Sequence, residues 1–164
     1  MGDEKKVKAV NVFQMVVFRI GDEEFGVDIS QVIEISRMRD ITHIPDAPGF
    51  IKGVINLRGK VITVIDIAKQ FGLNLVDESS KTSRIVIVEI GDQMLGLIVD
   101  EVPEVLRMAE NDIVPAPETI QTAIKKDYIR GVGKLEDRLI ILVDINNILS
   151  GQEIDDLAKT VKHE

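Results

Sequence analysis

Glu34 and Arg58 are the two side chains in this sequence whose types and spacing best suit specific recognition. Arg58 stands between two β-branched runs, Val54 to Leu57 and Val61 to Ile65, in the turn Arg58-Gly59-Lys60. Gly59 supplies the positive φ that a tight hairpin needs, so the pattern predicts a β-hairpin with one exposed guanidinium at its tip. Glu34 comes from the strand-like segment ahead of a proline-bounded loop. If both lie at one end of the same folding unit, they can pair. An exposed pair adds little stability, so two readings stand. One is an ordinary surface ion pair. The other is a docking surface oriented by the pair, with Val32 and neighbouring aliphatics around it, because arginine and apolar anchors carry most interface energy.

The remaining reactive side chains lead away from catalysis. Gly131-Val-Gly-Lys134 resembles a phosphate loop only in part: Tyr128 and Leu135 stand where the motif requires a glycine and a hydroxyl. A glycine-permitted bend at a barrel corner accounts for it. His163 sits in the terminal tail, and His43 stands in a proline-bounded loop without a Cys or His partner. Asp66 and Asp144 occupy equivalent places and suit capping of a short following helix. There is no cysteine and no Gly-x-Ser-x-Gly elbow. The sequence therefore predicts no catalytic residue, no metal site and no cofactor.

Composition narrows the class. The chain has 164 residues, 45% hydrophobic but only 4% aromatic, so its core must be aliphatic, which favours β structure. A formal charge of −8 repels phosphate backbones, and the only basic runs are Lys5-Lys6 and Lys125-Lys126. Nucleic acid is not an expected partner. The lack of cysteine agrees with a reducing cytosol. No apolar run reaches the roughly 20 residues of a membrane span, and the N-terminus carries acids with no apolar stretch behind them, unlike a signal peptide.

An internal repeat organises the chain. Val16 to Val27 overlays Val86 to Leu97 at a constant offset of about 70 positions. The register holds through Val32/Val102, Glu34/Glu104, Arg37/Arg107 and Pro45/Pro115. The second copy then carries extra residues, Glu118 to Asp127, before Gly53/Gly131, Leu57/Leu135, Ile62/Ile140 and Asp66/Asp144 match again. Arg58-Gly59 is not repeated. Glu136-Asp137 stands there, so an Arg58–Glu34 pair is expected in the first copy only. Each copy has about five strands and one late short helix, and closing each into a small barrel removes free edges. The expected organisation is a flexible tail over residues 1–11, a first barrel over 12–80 with crossovers from the other lobe possible, a second over 81–149, and a C-terminal helix within 150–164. Asn74 to Thr82 suits a linker. A shared apolar seam is expected between the barrels. Asp28 to Ile35 suits either a capped helical turn or a strand. Ser150-Gly-Gln-Glu153 matches a capping box, with Ile154, Leu157, Ala158 and Val161 on one face beyond it.

The run Phe50-Ile-Lys-Gly-Val-Ile-Asn-Leu-Arg-Gly, continuing to Val-Ile-Asp-Ile67, resembles the signature of the CheW family of bacterial chemotaxis coupling proteins. The likeness extends from Phe13 to Leu149 and includes Gly21 to Gly26 and Pro115 to Glu118; Thr63 departs from it, since many members have proline there. The resemblance implies a mainly all-β fold of two SH3-like five-stranded barrels and no catalytic activity. It implies an adaptor that joins the cytoplasmic tips of chemoreceptors to the regulatory domain of the histidine kinase CheA. Its location would be cytoplasmic, recruited to membrane-associated receptor arrays without inserting into the membrane. By matching motif, receptor contact would fall on Val32, Glu34, Arg58 and Leu95. Kinase contact would fall on Met38, Ile41, Gly59 and Val61 of the first barrel, with a second contact at Val114, Glu118 and Thr119. The alternatives are a CheV-like or regulatory-domain-like module with a different receptor or kinase partner. From another class, a small ligand-binding barrel or enzyme would need convergent polar ligands that the sequence does not supply.

Overall fold

The computed structural model describes residues 11–73, 80–118 and 128–148. The expected tail up to residue 10, most of the proposed linker, Thr119 and the expected C-terminal helix lie outside these residues. Among the described residues, eleven strands form two sheets. They are β1 (Val12–Ile20), β2 (Glu23–Asp28), β3 (Val32–Arg37), β4 (Ile51–Leu57), β5 (Lys60–Ile65), β6 (Arg84–Ile90), β7 (Gln93–Val99), β8 (Glu101–Ala109), β9 (Ile113–Val114), β10 (Ile129–Leu135) and β11 (Arg138–Val143). A short helix, α1 (Ile67–Gln70), follows β5.

The two copies do not close separately. One sheet runs β8-β1-β2-β11-β10-β9 and the other β3-β6-β7-β5-β4. The first hairpin of each copy is thus exchanged into the sheet of the other. The junctions are parallel pairs, β2 on β11 and β5 on β7, while every other pairing between these strands is antiparallel. Each barrel therefore draws its strands from both copies. The repeat gives both hairpins the same pairing pattern, so either host sheet accepts either hairpin, and exchange ties the two halves together.

Burial follows strand alternation. On β11, Ile140 and Leu142 join Met15, Val17 and Met108 inside one barrel, while Ile141 and Val143 turn to the opposite face. Ile55, Leu57, Ile62, Val64, Ile85, Ile87 and Ile98 fill the other barrel. The largest cluster lies between the two sheets and draws on both: Val16, Phe18, Phe25 and Val27 meet Ile65, Val86, Val88, Leu95 and Leu97. The chain has five Phe and one Tyr, and all but Phe13 pack into this seam. Phe18, Phe25, Phe71 and Tyr128 form a continuous ladder with centroid spacings of 5.5, 5.0 and 6.0 Å.

Local signals in the sequence find their physical counterparts. Asp66 accepts a hydrogen bond from the Lys69 amide at 3.0 Å and starts α1, while Asp144 accepts from the Asn146 amide at 3.2 Å. Both alternatives for residues 28–35 are realised in succession. Asp28 caps a 3₁₀ turn at Ile29–Gln31, and β3 follows. The Gly131 stretch is strand, with the pairing register slipping between Ile129 and Gly131. Gly53 and Gly131 recur because a barrel closes at each. Thr42 exchanges two backbone hydrogen bonds with Val54, of 2.8 and 2.9 Å. A Cβ on Gly53 would stand 2.4 Å from the Thr42 carbonyl oxygen, and one on Gly131 would stand 2.7 Å from Ile113 Cγ2.

Two stability changes are expected. Gly53→Ala forces the Thr42 backbone away and should cost about 2 kcal/mol, read as a lower denaturation midpoint at unchanged slope. Thr63 is 2% exposed and its hydroxyl has no hydrogen-bond partner among the described residues. Thr63→Val removes a buried unpaired group of nearly equal shape, so it should raise stability by about 1 kcal/mol; a lower melting temperature would contradict this.

Candidate functional site

The site grows from two local features of the backbone. At the β4–β5 tip, Leu57 pairs with Lys60, leaving a two-residue turn of Arg58 and Gly59 with φ of 51° and 89°. Positive φ at both positions matches the right-handed twist of the flanking strands. The Gly59 amide donates to Asn56 Oδ1 at 2.8 Å and fixes the tip. The second feature is a bulge. The β3–β6 register slips between Val32 and Glu34, so Ile33 has no partner on β6 and is 46% exposed. A bulge re-aims the side chains beside it.

These two features bring Glu34 and Arg58 together. Arg58 Nη1 donates to Glu34 Oε2 at 3.1 Å, and Nη2 donates to Oε1. Both carboxylate oxygens are engaged in a fork, which sets orientation as well as proximity. The Arg58 side chain remains 66% exposed. Its hydrogen bonds hold the Glu34 carboxyl below the ordinary glutamate range, with the nearby charges of Arg58 and Arg39 acting in the same direction against partial desolvation. The Arg58 guanidinium is shifted upward in turn, mainly by the hydrogen bond to Glu34. Beside the pair lies a cavity of about 230 Å³ lined by Ile33, Glu34, Leu57, Arg58, Lys60 and Met94. Ile33 and Met94 are members that the sequence analysis did not single out. The arrangement offers charge and apolar surface for docking. Among the described residues no group of three His, Cys, Asp or Glu side chains is placed to hold a metal.

The second barrel has a mouth of its own, which corrects the expectation of a pair confined to the first copy. Glu136 takes the turn position of Arg58, with φ of 50°. The cation comes instead from Arg138, the repeat counterpart of Lys60. Arg138 Nη2 donates to Glu104 at 2.7 Å, and Nε and Nη2 donate to Glu24 at 3.2 and 3.1 Å. Its hydrogen bonds to Glu24 and then Glu104 push the Arg138 pKa up. Glu24 stands where the first mouth has Met94. The second cation is therefore shared by two carboxylates and 38% exposed, whereas Arg58 answers to one.

The other expected contact residues divide. Val32 is half-buried at the start of β3 and packs against the seam. Leu95, an expected receptor contact, is fully buried in this structure. It lies in the row Val32–Val88–Leu95–Thr63 across the sheet, inside the seam, and offers no surface. Met38 and Ile41 are half-buried against the core of the β3–β7 barrel. Gly59 is exposed and Val61 is 53% exposed beside Arg58. Val114 and Glu118 are exposed on the other sheet's side, at and beyond the edge strand β9. Thr119 lies outside the described residues.

A carboxyl-detected NMR titration should find Glu34 deprotonating below the ordinary glutamate range, and Arg58→Ala should return it to that range. Because the folded pKa is the lower one, the pair's contribution is present above the unfolded pKa and is lost as pH falls through the folded value. An unchanged Glu34 titration in Arg58→Ala would show that the fork does not persist in solution.

A family model described as the CheW-like domain matches residues 14–153. The chemotaxis protein CheW of Klebsiella aerogenes is 37% identical over 150 residues, covering 90% of this chain and 89% of that protein. The chemotaxis protein CheV3 of Helicobacter pylori is 29% identical over 140 residues, which is 84% of this chain but 45% of that protein. The crystal structure of the scaffolding protein TtCheW from Thermoanaerobacter tengcongensis superposes with a TM-score of 0.78 at 42% identity, covering 88% of this chain and 93% of that one. The shared length, the two-sheet fold and the hairpin that carries Arg58 together place this chain in the CheW-like family.

Proposed function

We propose that this chain, a non-catalytic chemotaxis scaffold by family, couples chemoreceptors to the histidine kinase CheA. The observation that carries the reading is the exposed Arg58–Glu34 fork on a rigid hairpin, with Ile33 and Val61 exposed on the same sheet. The receptor tip docks on Val32, Glu34 and Arg58. The kinase regulatory domain docks on Met38, Ile41, Gly59 and Val61, with a further contact at Val114, Glu118 and Thr119. Leu95 supports the first surface from beneath.

An adaptor transmits a receptor's state only through free energy shared between its two contacts. The proposed receptor surface and the first kinase contact share β3, the loop that follows it and the β4–β5 hairpin, so a change in the orientation of Arg58 reaches both without a long relay. The seam supplies the stiffness: a displaced hairpin would have to disturb buried side chains of both sheets. No helix among the described residues is long and apolar enough to cross a membrane. Recruitment to receptor arrays would come through the partners. The similarity to part of CheV3 keeps one variant of this reading, a coupling module serving a different receptor or kinase.

The test is Arg58→Glu, assayed by titration against the isolated CheA regulatory domain and against receptor fragments. Charge reversal at an interface anchor should weaken receptor binding about tenfold or more and depress receptor-dependent kinase activation, with the thermal midpoint unchanged. Wild-type receptor binding together with wild-type kinase activation would refute the assignment.

A further inference from the structure

The two copies differ at one backbone position that bears on how a partner could attach. β3 is the last strand of its sheet and, among the described residues, pairs only with β6. β8 is the equivalent last strand of the other sheet and, among the described residues, pairs only with β1. The same bulge interrupts both. Ile33 has no partner on β6, and Pro103, its repeat counterpart, has none on β1. Edge strands invite pairing with another chain, and proteins commonly blunt them with proline or inward-pointing charge. β8 carries the first device, since Pro103 lacks an N–H; the paired carboxylate is common to both strands, Glu104 held by Arg138 and Glu34 by Arg58. β3 has neither proline nor lysine, and it exposes Ile33 at 46% and Ile35 at 40%. Within the described parts of the chain, residues 33–37 make no backbone–backbone hydrogen bond apart from those to β6; the Arg37 carbonyl accepts from Ser36 Oγ at 2.8 Å.

From this asymmetry we propose that β3 is a strand-pairing edge that accepts an extended, acidic and aliphatic segment of a partner protein. Backbone pairing along β3 supplies affinity, and alternate partner side chains meet Ile33 and Ile35. Charge selects the partner. Arg37, Arg39, Arg58 and Lys60 are exposed around the strand, against Glu34 and Asp40. Glu34 is already engaged by Arg58. A second copy's β3 brings the same cations to the edge and is disfavoured. The inference concerns the surface assigned above to receptor and kinase, but it rests on the edge itself, and its test needs neither of them.

The probe is a six-residue peptide of alternating valine and glutamate, added to the full chain and followed by amide NMR with hydrogen exchange. Pairing should shift the amides of residues 33–37 and slow exchange of the outward-facing ones about tenfold or more. The affinity should fall with added salt. Ile33→Pro, which installs the other copy's residue, should abolish the protection. Ile33→Ser keeps the N–H, so it should weaken binding but retain the pattern, and it serves if the proline variant does not fold. Shifts without slowed exchange, or equal binding by Ile33→Pro, would overturn the proposal. So would protection of β3 that rises with protein concentration in the absence of peptide, which would assign the edge to self-association.

Discussion

Apolar packing between the two sheets is the contact on which the rest of this molecule depends. Each barrel encloses only a small cluster of its own, such as Met15, Val17, Met108, Ile140 and Leu142. A core of that size rarely sustains an independent domain. The seam is larger, and nearly all the aromatic side chains are in it. Exchange of the first hairpins makes the dependence mutual, because Phe18 and Phe25 belong by sequence to one copy and by pairing to the sheet of the other. Neither barrel retains its strands if the other is lost. The hairpin that carries Arg58 is anchored through β5 on β7 to this same seam.

On that shared scaffold, a few substitutions give the two barrel mouths opposite characters. In the second, Arg138 sits between Glu24 and Glu104. Its charge is spent within the molecule, and Pro103 blunts the neighbouring edge. In the first, Met94 replaces one carboxylate and Ile33 replaces the proline. The cation moves to the turn tip, where it is held by Glu34 alone. What remains is an oriented but accessible guanidinium beside a cavity that Ile33, Leu57 and Met94 line in part, and an unblunted strand. Such a surface suits a scaffold, which must bind without chemistry and release without strain.

Much of this was legible in residue order, and the limits fall at identifiable places. The hairpin turn was readable because Gly59 and the β-branched runs act locally. Asp66 and Asp144 were readable as caps because a cap is satisfied within three residues. The pairing of Glu34 with Arg58 was anticipated because a repeat constrains which ends of a barrel meet. The burial of Leu95 was not readable, since alternation alone cannot say whether a face meets solvent or a second sheet. The Arg138 fork was missed because the counterpart of Arg58 is an acid, and the compensating cation enters two residues later from the other strand.

By itself the sequence determined the β content, the duplication, the turn and cap positions, the aliphatic core and the likeness that places the chain in its family. Each depends on spacing along the chain or on composition, and neither changes with the partner a strand finds. Only the tertiary structure decided which copy's hairpin lies in which sheet, which apolar face becomes the seam, and which of two similar mouths stays open. Those outcomes turn on contacts between residues far apart in sequence. A duplicated chain offers each strand two nearly equivalent partners, so the choice is made by the packing of the whole rather than by any local run of residues.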